Sequence, residues 1–234
     1  MPDTQDCQSK GPAVDVEFFF DPVCTWSWVA SRWLVEVAPL RGLRVRWRSF
    51  SKLIGMGTEG LRDSDLTSRT ASHRALRVIE AVRVDHPEAV CRLYEAMTAA
   101  AMEEHAQLRP LFSHLPATLE AAGLDCRYAE AAYDERWDDV IRESMADVYA
   151  VVGEGACTPV TVLWLDRPVG FQGPLVSPAP TGGEALELWD SFLRLASVPG
   201  VFEISRPCPP RRQMAPAWSE LCATATRRSC FDGR

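Results

Sequence analysis

Residues 18–28 read Phe-Phe-Phe-Asp-Pro-Val-Cys-Thr-Trp-Ser-Trp, and the fold turns on them. Upstream, Val14, Val16, Phe18 and Phe20 alternate with Asp15, Glu17 and Phe19, the period-two signature of a strand. Downstream, Trp26, Val29, Ala30, Trp33, Leu34 and Val37 form one apolar stripe at helical spacing. A helix is therefore predicted from just after Asp21-Pro22 to about Ala38, ended by Pro39 and Gly42. Cys24 falls at the junction. A helix start carries open backbone N–H groups and the positive end of the macrodipole. A thiol held there ionises more readily, and the thiolate is the reactive form. Ser27 stands where a dithiol site would carry its second cysteine. The chain thus reads as a thiol enzyme with a nucleophile and no local resolving partner.

Working outward, Leu43, Val45 and Trp47 alternate with Arg44, Arg46 and Arg48, which predicts a half-exposed edge strand with its arginines on a solvated face. Strand–helix–strand in this order forms a right-handed crossover when the strands are parallel neighbours. From 63 to 152 the alternation vanishes and helical spacing takes over, with helices predicted over 64–84, 87–102, 109–122, 128–134 and 137–152. That block cannot continue a sheet, so it is expected to pack as a helical insertion over one end. Strand character returns at 160–165, turns at Asp166-Arg167-Pro168 and comes back antiparallel over 169–172. A last helix is expected from Thr181, as N-cap with Glu184 three residues on, to about Ala196. The division is an α/β domain in two parts, 13–62 and 153–205, interrupted by 63–152 and followed by a loose tail at 206–234.

Composition narrows the function classes. Of 234 residues, 47% are hydrophobic and 24% charged, as in ordinary globular proteins. A formal net charge of −7 argues against nucleic acid as partner, because phosphate backbones require a basic footprint. No apolar run approaches the roughly 20 residues of a membrane span, and Met1 to Lys10 lack the apolar core of a signal peptide, so a cytoplasmic location is expected. The eight cysteines, at 7, 24, 91, 126, 157, 208, 222 and 230, include no C-x-x-C pair and no metal-ligand spacing, so no metal site is predicted. Cys91, Cys126 and Cys157 read as small core residues, and the others lie in the chain ends. His73, His86, His105 and His114 fall in the helical block without motif neighbours; His73 and His105 are the first to test as groups lining the site or tuning its thiol. Asp21 is read as a helix cap or proton relay.

The order strand, Cys-x-x-x, helix, strand, helical block, Thr158-Pro159, strand pair and closing helix resembles the thioredoxin fold of the DsbA-like group. Within it, the chain is most similar to the mycothiol-dependent nitroreductase branch. Residues 18–33, Thr158-Pro159, Phe-Gln-Gly-Pro at 171–174 and Leu-Trp-Asp at 188–190 carry the resemblance, which spans about 14 to 207. It implies that Cys24 is the attacking cysteine and Pro159 a cis-proline facing it. Thr158 would then offer backbone groups to whatever docks at Cys24, and Trp26 would form part of the wall. Ser27 departs from the pattern, since redox members of the group usually carry cysteine there.

One reactive thiol leaves three modes. In the leading one, Cys24 forms a mixed disulfide with a low-molecular-weight thiol such as mycothiol, and a second small thiol resolves it. The resemblance thus implies a small-thiol co-substrate and no tightly bound cofactor. In the second, Cys24 adds reversibly to an activated double bond of a polyene or enone and isomerises it without net redox change, the helical block enclosing the apolar chain. The third is a non-catalytic binding module. The partner expected is a small molecule, free or carrier-bound, with a homodimer left open as the assembly.

Overall fold

A computed structural model describes residues 15–103 and 114–205. Strand β1 (Val16–Phe20) is buried along its whole length, as its apolar run requires. Helix α1 (Thr25–Arg41) carries the chain across to β2 (Val45–Ser49), which pairs parallel to β1 with Phe18 beside Trp47. After the helical block, β3 (Val160–Trp164) pairs antiparallel to β1, and β4 (Pro168–Gln172) antiparallel to β3. The sheet order β2-β1-β3-β4 makes β1, the strand that leads into the Cys24 turn, an inner strand of a thioredoxin-like fold.

Between β2 and β3 lie α2 (Lys52–Gly55), α3 (Asp63–Asp85), a 3-10 turn at Pro87–Ala89, and α4 (Val90–Glu103). Then come α5 (Leu115–Ala121), a 3-10 helix at Cys126–Tyr133, and α6 (Trp137–Val152). Helix α7 (Gly182–Ala196) closes the described chain. The core joins sheet and helices in one cluster that includes Phe18, Phe20, Trp33, Phe50, Leu76, Tyr94 and Ile141. The lead at 1–12, the start of the helix expected at 109–122 and the tail at 206–234 lie outside the described residues.

Four expectations change. Helix α1 runs through Pro39 to Arg41; the proline removes one N–H donor in the last turn, and the end is set by Gly42, whose left-handed φ of 64° lets its N–H bond the Ala38 carbonyl. Thr181 sits at the N-cap of α7 but makes no side-chain cap; the Gly182 N–H is taken by the Glu36 carboxylate of α1. The element at 126–133 is a 3-10 helix capped by Asp125. The β2 arginines are not simply solvated: register places Glu17 of β1 opposite Arg46, and its carboxylate, 5% exposed, accepts from Arg46 at 3.1 Å and Arg48 at 2.9 Å. Arg48 also reaches Asp147 at 2.6 Å, and Arg44 pairs with Asp15 at 3.0 Å. An edge strand with charge on one side has here found its counter-charges on the neighbouring strand.

Candidate active site

Strand β1 ends at Phe20, and Asp21-Pro22-Val23 turns the chain so that Cys24 becomes the N-cap residue of α1. The turn is closed by the Cys24 N–H bonding the Asp21 carbonyl at 2.8 Å, and the Trp28 N–H then bonds the Cys24 carbonyl at 3.1 Å. Asp21 does not cap α1. Its buried carboxylate accepts from the Val23 N–H at 2.9 Å, the Lys52 N–H at 2.6 Å and the Ser72 hydroxyl, tying the turn to α2 and α3. Burial raises its pKa, and these hydrogen bonds only partly offset that.

Across the site the Thr158–Pro159 peptide is cis. The Cys24 thiol donates to the Thr158 carbonyl, Sγ to O 3.3 Å, joining residues 134 apart in the chain. The loop carrying that carbonyl is held from β4: Gln172 Oε1 accepts from the Cys157 N–H at 3.1 Å, and the Pro159 carbonyl accepts from the Gly173 N–H at 2.7 Å. Gln172 and Gly173 belong to the Phe-Gln-Gly-Pro stretch, which thus keeps the cis loop facing the sulfur.

Cys24 is 3% exposed. Two surface concavities, one beside Arg41 and Trp189 and one beside Tyr128 and Trp137, lie elsewhere. Neither is the apolar cleft expected over the thiol. Ser27 is fully buried one turn along α1, and its hydroxyl makes no hydrogen bond among the described residues. Trp26 is half-buried on the first turn of α1. Its neighbour Trp28 carries the Arg32 guanidinium over its ring at 4.2 Å, and Arg32 pairs with Glu95 of α4.

His73 is not open to a ligand. It is buried on α3, with Nδ1 2.9 Å from Ser51 Oγ and Nε2 3.0 Å from Asp138 Oδ1. The Asp138 carboxylate only accepts, so the ring donates from Nε2, and in the neutral ring Nδ1 accepts the Ser51 hydrogen. Burial lowers the His73 pKa, with Asp138 pulling the other way. Burial works to raise the Asp138 pKa, but two bonds from Arg77, at 2.6 and 2.9 Å, together with His73, hold it below the ordinary carboxylate value. His105 lies outside the described residues. Cys126, expected in the core, is exposed at the start of its 3-10 helix. Cys91 is pushed up to about 11 by burial. Cys157 adjoins Thr158, yet its sulfur lies against Met56 at 3.8 Å. Among the described residues no cluster of three or more His, Cys, Asp or Glu is placed to hold a metal, and no helix is long and apolar enough to cross a membrane.

Sequence reasoning missed Tyr94. This α4 residue is fully buried, with its ring 4.1 Å from Phe20 and 6.3 Å from Trp28, edge to face. Its hydroxyl interacts with Ser31 of α1, and burial raises its pKa well above that of an ordinary phenol. A single tyrosine on an amphipathic helix carries no spacing signal, so nothing in the sequence distinguishes it from core.

Comparison with known proteins matches residues 23–206 to the family model for Rv2466c-like proteins, described as mycothiol-dependent nitroreductase Rv2466c. The chain is 28% identical over 226 residues to the uncharacterized protein Rv2286c of Mycobacterium tuberculosis, covering 94% of this chain and 90% of that protein. Two solved structures of the cytosolic disulfide reductase DsbM from Pseudomonas aeruginosa superpose on it. The form with GSH does so at TM-score 0.54 and 16% identity, covering 77% of this chain and 99% of DsbM. The other does so at 0.53 and 18%, covering 77% and 98%. At such identities the superpositions speak to the fold.

Proposed function

Because the chain belongs to the Rv2466c-like mycothiol-dependent nitroreductase family, we propose that it is a monothiol oxidoreductase in which Cys24 exchanges disulfides with a low-molecular-weight thiol of the mycothiol type. The observation that carries this reading is the 3.3 Å approach of Cys24 Sγ to the Thr158 carbonyl across the cis-proline loop, with serine at the resolving position. That loop offers backbone groups beside the sulfur, and Trp26 stands on the same first turn as part of the wall.

The chemistry balances with one enzyme sulfur. The Cys24 thiolate attacks the mycothiol-side sulfur of a mixed disulfide, the old S–S bond breaks, and the substrate leaves as a thiolate that takes up a proton. A second mycothiol thiolate then attacks the same mycothiol sulfur in the Cys24 adduct. Cys24 is released as thiolate and mycothiol disulfide forms. The substrate disulfide is reduced and two mycothiols are joined. Ser27 can take no part in these exchanges, because an alcohol forms no disulfide. The adduct therefore waits for an external thiol.

Intact mass tests the scheme. Incubation with a mycothiol mixed disulfide should add one mycothiol to Cys24, and free mycothiol should remove it. Cys24→Ser should remain unmodified and lose turnover. Turnover that persists without any external thiol, with an enone adduct on Cys24 and no mycothiol adduct, would replace this scheme with reversible addition and isomerisation. Full activity in Cys24→Ser would remove both.

A further inference from the structure

The Cys24 residue is 3% exposed, yet every chemistry open to its sulfur needs a second molecule there. What keeps its turn closed is therefore part of how the site works. Asp21 grips that turn twice. Its backbone carbonyl takes the Cys24 N–H at 2.8 Å, and its carboxylate takes the N–H of Val23, the residue before, at 2.9 Å. The same carboxylate accepts from the Lys52 N–H at 2.6 Å, at the start of α2, and from the Ser72 hydroxyl on α3. Ser72 Oγ in turn accepts the Val23 N–H at 3.0 Å. Helix α2, four residues with none buried, leads on to Met56, whose Sδ lies 3.8 Å from Cys157 Sγ, one residue before Thr158. One buried side chain thus pins the neighbour of Cys24 to elements 31 and 51 positions further along.

This donor set fits a carboxylate and nothing else of the same shape. Oδ1 faces the Val23 N–H and Oδ2 faces the Lys52 N–H, and a backbone N–H can only donate. A protonated Asp21 would turn its own O–H on one of these donors or on Ser72, and an asparagine its NH2. We propose that Asp21 is a positioning residue for Cys24: its carboxylate latches the turn closed, and loss of that acceptor frees the turn and opens the sulfur to reagents.

The latch is poised between its two states. Burial, the leading influence, raises the Asp21 pKa against the pull of the three donors, so the charge that closes the turn is held at a cost. The titratable and charged groups around it are Cys24 itself, Lys52 on α2, His73 beside Ser72 on α3, and Tyr94 on α4. Arg77 and Asp138 stand behind the imidazole. Burial raises the Tyr94 pKa, so the phenol stays neutral. His73 bonds Ser51, next to Lys52, and so needs a control of its own.

This inference rests on Cys24 as nucleophile, but its test reads access to the sulfur, not turnover. In the full chain, alkylation by iodoacetamide is followed by peptide mass, at a pH where the Cys24 rate no longer rises. There the rate reports opening of the turn alone. Asp21→Asn should raise it about ten- to hundred-fold, as expected when bonds to a charged acceptor are lost. Cys91, on α4, is read in the same digest and should keep its wild-type rate. An unmoved Cys24 rate, or Cys24 and Cys91 rising together, overturns the proposal. Wild-type protein gives a second readout: hydrogen-exchange protection of the Val23, Cys24 and Lys52 amides. Relative to intrinsic rates, it should fall from about pH 7 to about pH 4, as Asp21 takes up its proton. Asp21→Asn should be low and flat across that range, and His73→Gln should retain the fall. Flat protection in the wild type, or a fall abolished by His73→Gln, also overturns the proposal. Failure of mycothiol to load Cys24, with the Asp21 effects present, would instead remove the mycothiol scheme alone.

Discussion

Ser27 decides which redox chemistry is open to Cys24. It is fully buried one helical turn from the sulfur, at the separation a dithiol pair uses. Ser27→Cys should therefore convert the site to a dithiol. After mild oxidation the intact mass should fall by two hydrogens, and loading by mycothiol disulfide should no longer accumulate as an adduct, because the new thiol displaces it. Both residues are legible in the sequence, since a strand-to-helix junction and a four-residue spacing are local facts. Tyr94 and His73 are not. Whether a lone aromatic or imidazole faces a cavity depends on which helices pack together, and Ser51, Asp138 and Arg77 become neighbours of His73 only in the folded chain. That enclosure has a pH consequence. The His73 and Asp138 pKa values are both lower in the folded chain, so the unfolded chain binds more protons. Their contribution to stability is present above the ordinary values of 6.5 and 3.8 and is lost as pH falls below each. His73→Gln should flatten the first part of this decline in melting temperature, and Asp138→Asn the later part.

At the scale of elements, strands β1 and β2 are joined by more than their ladder. Glu17 is buried between Arg46 and Arg48 and also accepts from Trp164 Nε1 of β3 at 3.2 Å, so one carboxylate spans three strands. Glu17→Ala would leave Arg48, only 16% exposed, with Asp147 as its remaining counter-charge and the Ser144 hydroxyl as a neutral acceptor. The expected loss is about 2–4 kcal/mol in urea unfolding, below the full cost of an unpaired buried charge because Asp147 remains. The period-two pattern of residues 43–48 announces the strand and its edge position. It does not announce these ion pairs, because alternating charge looks the same whether it faces water or a counter-charge brought in by parallel register. Helix ends show the same division. Gly42 could be read as a stop, whereas the Glu36 carboxylate that takes the Gly182 N–H comes from 146 residues away.

For the whole molecule, the decisive joint is where the helical block leans on the sheet. A Cβ added at Gly170 of β4 would lie 2.4 Å from Val152 Cγ1 and 3.0 Å from Val151 Cγ1, both at the end of α6. Branched side chains yield little, so Gly170→Ala should cost about 1–3 kcal/mol, read as a drop of several degrees in melting temperature. Trp33 of α1 reaches the Ala185 carbonyl at 2.9 Å, and Arg41 meets Asp190 at 2.6 Å, so the last helix grips the helix that starts at the sulfur. The bond from Cys24 to Thr158 spans 134 residues. During synthesis the ribosome must therefore emit the entire helical block before the thiol gains its shelter. At roughly 5–20 residues per second, the sulfur stays open to cellular oxidants and alkylators for on the order of ten seconds or more. Nascent chains, not finished ones, are then where adventitious modification of this cysteine should concentrate.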